Sequence, residues 1–365
     1  MRVNPAQLKT GCLVTKDVMG KTNRPIVPKN TTIQPIHIHV LKKFKIQSVE
    51  ISNRRSDGSL FVAQDQPEEE RTSTSKANTQ QIKPSSFHEQ YLEAVQSYKK
   101  WFTSWQGGAP IEMNAIRRVM VPLLERVVDS KREVFNLHHF TSEQEYIYHH
   151  SVAMGLLSGY LAAQLGYSYG EWIQVGLAGM MSDTGMAKIE ERITWKEGPL
   201  TESEFDKIKK HPTLSYRQVQ KISSLSTNAK IAILQHHERL DGTGYPLGLN
   251  QTKIHPFSQI IAVSDMYHAM TSERMYRKKQ SPYKVLEEII QEQFGRYDHK
   301  VIGILVKEMT HNSTGTKIRL SDHRDAEVIF VEKTHPTRPL VKLEKNGKIL
   351  PLKEHLELHI EEVYE

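Results

Sequence analysis

The chain has 365 residues and a formal net charge of +7 at pH 7, and 38% of its residues are hydrophobic and 25% charged. This composition is typical of a soluble globular protein of two or three domains. The sequence contains no apolar run of roughly 18 residues that could span a membrane. Because Cys12 is the single cysteine, an internal disulfide and a zinc–thiolate cluster are excluded. The basic charge fits either a solvated surface or an anionic ligand, and the lack of a long Lys/Arg block argues against a nucleic acid as partner.

The first 86 residues are expected to form a small mixed α/β unit followed by a linker. The runs 12–19 and 47–52 have strand character, and the run 36–44 between them is typical of a short helix. Residues 53–86 are polar and poor in bulky apolar side chains, which is typical of a linker or a long loop. The first unit is therefore predicted to span residues 1–52.

Helical periodicity continues from residue 87 to residue 311, and short β-type runs follow between residues 314 and 365. Polar turns separate these runs, and Asn346-Gly347 is a strong hairpin signal. The predicted fold class is therefore mainly α. It has an all-helical domain at 87–311, flanked by the mixed N-terminal unit and a small β-rich C-terminal unit at 314–365.

Two polar side chains of the helical domain fall on the apolar faces of predicted helices. His150 shares a stripe with Met154 and Leu157. A lone histidine in such a place is more often a hydrogen-bonded core residue than a metal ligand. Asp183 ends an apolar helix on its inward side, where a carboxylate is costly unless it caps a helix, is paired or binds a metal.

Three further histidines lie at predicted helix ends. The helix that opens with a capping box at Thr201 is expected to run to His211, where Pro212 disfavours helical geometry and turns the imidazole away from the helix surface. His236 and His237 end the next apolar helix and are followed by a glycine-rich turn. Neighbouring side chains on a helix point about 100° apart, so both imidazoles reach one point only near a helix end or in a concave site.

A second carboxylate stands inside the next apolar helix. Asp265 and His268 share a face there, and Arg274 and Arg277 follow the helix. This combination indicates a metal ligand beside a clamp for an anion. Imidazole and carboxylate donors without thiolates suit iron, manganese, zinc and similar divalent ions. The candidate metal ligands are His150, Asp183, His211, His236, His237 and Asp265.

Five motifs follow one another along the helical domain: EYIYHHS (145–151), SDTG (182–185), HPTLS (211–215), HHERLDGTGYP (236–246) and AVSDMYHAMTSERMYR (262–277). These motifs, in this order, resemble the HD-GYP domain, a branch of the HD phosphohydrolase superfamily. All eight fixed positions of the pattern HHExxDGxGYP are present. The resemblance implies an all-helical domain that holds two or three metal ions, usually iron or manganese, and hydrolyses cyclic di-GMP.

The resemblance also implies roles for individual residues, with Asp183 and Asp265 as the expected catalytic carboxylates. The ligands implied for one ion are His150, Asp183 and Asp265, and those for the other are Asp183 as a bridge, His211, His236 and His237. The implied substrate-binding residues are Gly244, Tyr245 and Pro246 in the pocket wall, with Arg274 and Arg277 on the phosphate or guanine.

Four positions depart from the family pattern. Ser182 replaces the histidine of the HD pair, and Met186 replaces the lysine that follows it. His268 stands where the family carries a carboxylate, and Tyr146 replaces a glutamate that supplies a third metal site in some members. Because a serine hydroxyl is a weak donor for these ions, the first ion keeps three protein ligands. His268 is a candidate substitute ligand, and the alternative is a hydrogen bond from His268 to Asp265.

Two hypotheses of different classes follow. In the first, the chain is a metal-dependent cyclic di-GMP phosphodiesterase with one or two ions and a partly degraded first metal site. In the second, it is an inactive relative that binds cyclic di-GMP, a related dinucleotide, or a protein partner such as a second copy of itself, and acts in signalling. The complete second site favours retained ligand binding, whereas Ser182 and Met186 favour slow or lost turnover. The single cysteine and the lack of a secretory signal predict a cytoplasmic protein.

Overall fold

The computed structural model describes residues 86–129, 131–273, 279–292, 295–310 and 314–364, and in the first 55 residues all but 1, 6–7, 9, 20–24, 35–36, 39, 42–45 and 47. The chain divides into two compact units, Met1–Ser97 and Tyr98–Glu365. Most of the predicted linker, residues 56–85, lies outside the described residues. In the described part of the chain, no helix is long and apolar enough to cross a membrane.

The N-terminal unit contains short antiparallel strands. β1 (Arg2–Val3) and β2 (Cys12–Val14) pair with either side of β5 (Val49–Arg55), and β3 (Val18–Met19) pairs with β4 (Pro25–Val27). Cys12 and Ile51 are fully buried in the apolar core of this unit. The strands agree with the predicted mixed unit, but β5 continues to Arg55, beyond the boundary expected at residue 52.

Helices occupy most of the chain between residues 87 and 309. They are α1 (Phe87–Gln106), α2 (Met113–Asp129), α3 (Lys131–Phe135), α4 (Tyr146–Gln164), α5 (Tyr169–Met181), α6 (Glu191–Thr194), α7 (Glu202–Ile208), α8 (His211–Val219), α9 (Thr227–Gln235), α10 (Pro256–Thr271), α11 (Pro282–Glu292) and α12 (His299–Met309). Short 3-10 helices lie at Leu137–Phe140, Glu143–Glu145, Thr184–Lys188 and Gln251–Lys253. The predicted fold class, mainly α, is confirmed.

Helices α4 and α5 approach each other closely because small residues line their contact. A Cβ atom added to Gly155 would lie 2.8 Å from the Cβ of Met180 and 2.9 Å from the carbonyl oxygen of Gly176. Every residue of α4 from Ile147 to Ala162 is buried. Ser182, the first residue after α5, is likewise fully buried.

The helix predicted to run from Thr201 to His211 is two helices, so that prediction is wrong in detail. Thr201 forms the expected capping box with Glu204, but α7 ends at Ile208 and His211 is the first residue of α8. Pro212 is tolerated in the first turn of α8 because the N–H that it lacks would have no partner within the helix. The chain does change direction before Pro212, and His211 begins a helix at that point.

A five-stranded antiparallel sheet completes the second unit. Its strand order is β10 (Ile360–Val363), β6 (Lys317–Leu320), β7 (Asp325–Phe330), β8 (Leu340–Leu343) and β9 (Ile349–Pro351). Gly347 has a φ of 68° in the turn between β8 and β9, in agreement with the predicted hairpin. Tyr283 of α11 is buried in the core of this sheet, and Arg338 pairs with Glu287 of α11 at 2.5 Å. The sheet is therefore tied to the helices through α11.

Candidate metal centre

Asp183 lies among several histidines, at the break between α5 and the 3-10 helix Thr184–Lys188. Its Oδ1 lies 3.2 Å from Nε2 of His211 and 3.6 Å from Nε2 of His236. Its Oδ2 lies 3.5 Å from Nε2 of His150. The ligand atoms of Asp183, His211, His236 and His237 all lie within 4.8 Å of one another. The structure thus brings together the four residues that the family resemblance implies for one ion.

Asp265 of α10 lies against the same group of side chains. Its Oδ1 is 3.2 Å from Nε2 of His150, and its Oδ2 is 3.4 Å from Nδ1 of His237. His150 therefore presents one nitrogen to both carboxylates. This places His150, Asp183 and Asp265, the residues that the family resemblance implies for the other ion, within reach of one another.

The hydrogen bonds of two histidines determine which nitrogen faces the centre. Nδ1 of His211 lies 2.8 Å from the carbonyl oxygen of Ile208, and Nδ1 of His236 lies 2.8 Å from that of Ile233. A carbonyl oxygen only accepts, so each Nδ1 must carry the proton, and in the neutral ring each Nε2 then offers a lone pair. The two Nε2 atoms are 3.2 Å apart and both face Asp183. Three electron-rich atoms so close together repel unless a cation lies between them, so the donor set fits a divalent ion.

The electrostatics of the centre favour the protonation states that bind metal. Burial raises the pKa of the Asp183 carboxyl, but the adjacent rings of His211, His236 and His150 outweigh it, and the net pKa lies well below the usual range. Burial likewise raises the pKa of Asp265, yet His237 and His150 bring it below the usual range. Burial and the neighbouring His236 lower the pKa of His237. Near neutral pH both carboxylates are therefore ionised and His237 is neutral.

One side of the centre is open to solvent. His236 and His211 are buried, whereas the side chains of Asp183, Asp265 and His237 keep 14%, 13% and 15% of their surface exposed. A ligand that reaches the centre must approach along these three side chains.

The turn after the paired histidines packs against this open side. The ring of Tyr245 lies 4.7 Å from that of His237, centroid to centroid, and the Tyr245 N–H donates to the His237 carbonyl oxygen at 3.1 Å. Gly244 is required because a Cβ atom there would lie 2.4 Å from the backbone nitrogen of Arg239 and 2.5 Å from the His237 carbonyl oxygen. The turn is thus held close enough for Tyr245 to form one wall of the centre.

Glu238 supports the turn after the paired histidines and is not among the candidate site residues predicted from the sequence. Its buried carboxylate accepts hydrogen bonds from the N–H groups of Leu247 at 2.7 Å and Leu249 at 2.8 Å. These bonds hold the chain beyond Tyr245 against the end of α9. The third position of the quoted HHExxDGxGYP pattern is Glu238, so the signal was present in the sequence.

Part of the chain is similar to known proteins. Residues 126–301 match the family model of the HD domain. A cyclic di-GMP phosphodiesterase of Pseudomonas aeruginosa is 34% identical over 202 residues, which are 55% of this chain and 49% of that protein. A 3'3'-cGAMP-specific phosphodiesterase of Vibrio cholerae is 33% identical over 186 residues, 51% of this chain and 40% of that protein. The matched region of this chain, residues 126–301, therefore resembles an HD domain.

A solved structure supports the same fold. The HDG"Y"P protein from Bdellovibrio bacteriovorus aligns with this chain at a TM-score of 0.51 and 13% identity. The alignment covers 84% of this chain and 97% of the Bdellovibrio chain. At this identity the likeness shows the fold alone. The chain spans about half the length of the Pseudomonas relative and less of the Vibrio relative. Together the family match, the relatives and the fold confirm the resemblance of the HD domain to the HD-GYP branch.

The side chain of Ser182 does not point into the HD domain's centre. Its Oγ donates to the Ala178 carbonyl oxygen at 2.8 Å, within the last turn of α5. The Ser182 carbonyl oxygen accepts from Ser215 Oγ at 2.5 Å, and that Oγ accepts from the Gly185 N–H at 2.8 Å. Ser182 therefore has a structural role that ties the end of α5 to α8.

His268 lies behind His150, as seen from the carboxylates. The Nδ1 atoms of His268 and His150 are 3.0 Å apart, while Nε2 of His150 faces Asp183 and Asp265. Ser272 Oγ lies 3.3 Å from Nδ1 of His268. In this arrangement His268 contacts the candidate ligand His150 at Nδ1, the nitrogen of His150 that faces away from the carboxylates. Of the other residues assigned from the sequence, Arg274 and Arg277 lie outside the described residues.

Proposed function

We propose that the HD domain of this chain is a metal-dependent phosphodiesterase that hydrolyses cyclic di-GMP or a related cyclic dinucleotide. The observation that carries the proposal is the convergence of two Nε2 lone pairs, from His211 and His236, on the carboxylate of Asp183. The two relatives described above are named as phosphodiesterases of cyclic dinucleotides, which supports this class of substrate.

The residues present would hold up to two ions. Asp183, His211, His236 and His237 would hold one, and His150, Asp183 and Asp265 the other, with Asp183 shared between them. Donors of nitrogen and oxygen without thiolate favour iron or manganese, in line with the family resemblance. When bound, such ions supply Lewis acidity for the phosphodiester and lower the pKa of water.

The side chains around the opening suit an anionic ligand. Arg239 donates to the carbonyl oxygens of Glu238 at 2.9 Å and His236 at 3.3 Å and packs over the ring of Tyr297 at 4.6 Å. Its guanidinium is therefore held beside the paired histidines, where its positive charge attracts a phosphate. Tyr245 limits the opening on the side of His237, so the phosphodiester would lie between this ring and the exposed edges of the carboxylates.

A second candidate function is binding without turnover, and the conformation of Ser182 favours it. Since Ser182 Oγ bonds within α5, it supplies no donor where the HD pair of the family has an imidazole. The half-buried Met186 adds no charge where the family has a lysine. In this case the chain would act as a signalling module that binds the dinucleotide or a protein partner, including a second copy of itself.

Protein purified without oxygen and loaded with Fe²⁺ or Mn²⁺ separates these functions. The measurements are metal content, calorimetric binding of cyclic di-GMP and 3'3'-cGAMP, and chromatography of the products. We expect metal-dependent hydrolysis that Asp183→Asn abolishes. Binding without hydrolysis, together with hydrolysis in Ser182→His/Met186→Lys, would support the binding module. If neither dinucleotide binds to the loaded protein, the phosphodiesterase and the dinucleotide-binding module both fail, and a module that binds a protein partner gains support.

A further inference from the structure

We propose that Phe205 is a stacking platform for one purine base of the bound cyclic dinucleotide, an inference that rests on the proposed function. Phe205 lies on α7, which has no buried residue and is otherwise mostly polar or charged. The phenylalanine is 43% exposed. Single exposed apolar side chains are common, so exposure alone decides nothing, and the surroundings of the ring carry the inference.

Phe205 is the outer member of a row of rings that starts at the metal centre. The ring of Tyr245 lies 4.7 Å from that of His237, and the ring of Phe205 lies 6.5 Å from that of Tyr245, at 78°. His237 is one of the three side chains on the open side of the centre. The row therefore leads from a candidate metal ligand to solvent.

The charges beside Phe205 suit a ligand that combines a flat base with phosphate. Nζ of Lys209 lies 4.8 Å from the centroid of the Phe205 ring, and the exposed Lys210 immediately precedes His211. Lys209 also pairs with Asp206 at 2.8 Å on the surface, a type of contact that is weak and easily exchanged. A base can therefore stack on the aromatic ring while a lysine meets the phosphate, since every base has a π-face and stacking tolerates sequence.

A cyclic dinucleotide fits this place better than an apolar ligand does. The ammonium group of Lys209 lies at the ring, and the neighbouring centre is proposed to receive a phosphodiester. A purine offers the larger stacking surface and is the base named in both cyclic di-GMP and 3'3'-cGAMP. The platform would then raise affinity for the dinucleotide without taking part in bond cleavage.

Three variants at one position separate stacking from packing. Phe205→Ala removes the ring, Phe205→Leu keeps apolar bulk without a π-face, and Phe205→Trp keeps a π-face. Phe330→Ala, on β7 and 56% exposed, is a matched control for the same change away from the centre. We expect Phe205→Ala and Phe205→Leu to weaken cyclic di-GMP binding to the metal-loaded chain about 10-fold, or ~1.4 kcal/mol, whereas Phe205→Trp and Phe330→Ala bind as the original chain does.

Metal content and a substrate without bases complete the test. Phe205→Ala should keep its metal, its melting temperature and its activity on bis(p-nitrophenyl) phosphate, because the ring contacts the base and not the reacting ester. If the original chain binds the dinucleotide and Phe205→Ala or Phe205→Leu binds equally well, the platform is refuted and the proposed function stands. A loss of metal or of small-ester activity in Phe205→Ala would instead assign Phe205 to packing of Tyr245. If the original chain binds neither dinucleotide, the proposed function fails and the platform with it.

Discussion

At the scale of single residues, hydrogen bonds to the outer nitrogens of two histidines orient the candidate ligands of the centre. The carbonyl oxygens of Ile208 and Ile233 hold the rings of His211 and His236 with Nε2 toward Asp183. Metal affinity depends strongly on such partners because they fix the tautomer and the direction of each ring. His150 receives its outer contact from His268 instead, so the two halves of the centre differ in how they are supported.

We expect the ion near His237 to be held more tightly than the ion near His150. His237→Ala should lose most of the bound metal, because His237 belongs to the four residues with mutually close ligand atoms. His150→Ala should lose less. Elemental analysis after dialysis measures both, with His335→Ala, an exposed histidine of the C-terminal sheet region, as control. Equal losses in the two variants, or two ions retained by the original chain at high dilution, would contradict this order.

His268 should act on the metal centre through His150. His268→Ala removes the partner of His150 Nδ1, and a loss of this kind typically weakens metal binding ~10–100-fold. His268→Asp should restore binding, since a carboxylate can accept the Nδ1 proton of His150. Metal titration of the chelator-treated protein measures the affinity. If His268→Asp binds as weakly as His268→Ala, the hydrogen bond is not the cause, and the alternative that His268 itself is a ligand gains support.

At the scale of elements, the centre is built where helices end. α5 stops at Met181, α8 starts at His211, and the 3-10 helix Thr184–Lys188 fits between them. Gly185 makes this fit possible, because a Cβ atom there would lie 2.2 Å from the His211 carbonyl oxygen and 2.6 Å from the Ser215 nitrogen. Both contacts are to backbone, so neither can rotate away.

Gly185→Ala should therefore push α8 away from α5 and displace His211. We expect a loss of about 1–3 kcal/mol in the free energy of unfolding, the usual cost of overpacking, together with weaker metal binding. Gly170→Ala is the matched control, since a Cβ atom at Gly170 meets nothing within 4 Å and alanine favours the helix by roughly 0.5–1 kcal/mol. Urea unfolding measures the free energy of unfolding of both variants, and elemental analysis measures their bound metal. A Gly185→Ala chain as stable as the Gly170→Ala chain would show that the contact is relieved without moving α8.

At the scale of the whole molecule, buried histidines make stability depend on pH. Burial, with a contribution from Lys99, lowers the pKa of His149 to about 3, and burial also lowers the pKa of His138 and His237 well below the usual range. Histidines of the unfolded chain titrate near 6.5, so below that pH the unfolded state binds protons that the folded state excludes. The stability is therefore complete above about pH 6.5 and falls as the pH drops toward the folded pKa values.

We expect the chelator-treated chain to unfold with a clearly smaller free energy at pH 5 than at pH 7. His149→Phe, which keeps a ring of similar size, should reduce this difference by about 2 kcal/mol, because the unfolded chain then has one fewer histidine to protonate. Urea unfolding at the two pH values gives the difference, and His335→Phe at an exposed position should leave it unchanged. A difference in His149→Phe equal to that of the original chain would mean that His149 is protonated in the folded state.

The sequence by itself determined the class of fold and the list of candidate ligands. The helical stripe through His150, the apolar helix ending near Asp183 and the eight fixed positions of HHExxDGxGYP are all local patterns. Local patterns decide which residues become helical and which face the core, because periodicity and burial are set within a few turns. The same reasoning placed the hairpin at Asn346-Gly347, which needs only a two-residue turn.

Only the tertiary structure decided how the candidate ligands are oriented and supported. Whether His211 ends one helix or begins the next depends on how α8 packs beside Gly185, and the sequence favoured the wrong choice. Ser182 and Glu238 bond locally, within the last turn of α5 and within the turn after α9. The pairing of His268 on α10 with His150 on α4, by contrast, joins two helices that are distant in sequence. Such contacts follow from the packing of whole helices against one another, and no periodicity in a single segment encodes their geometry.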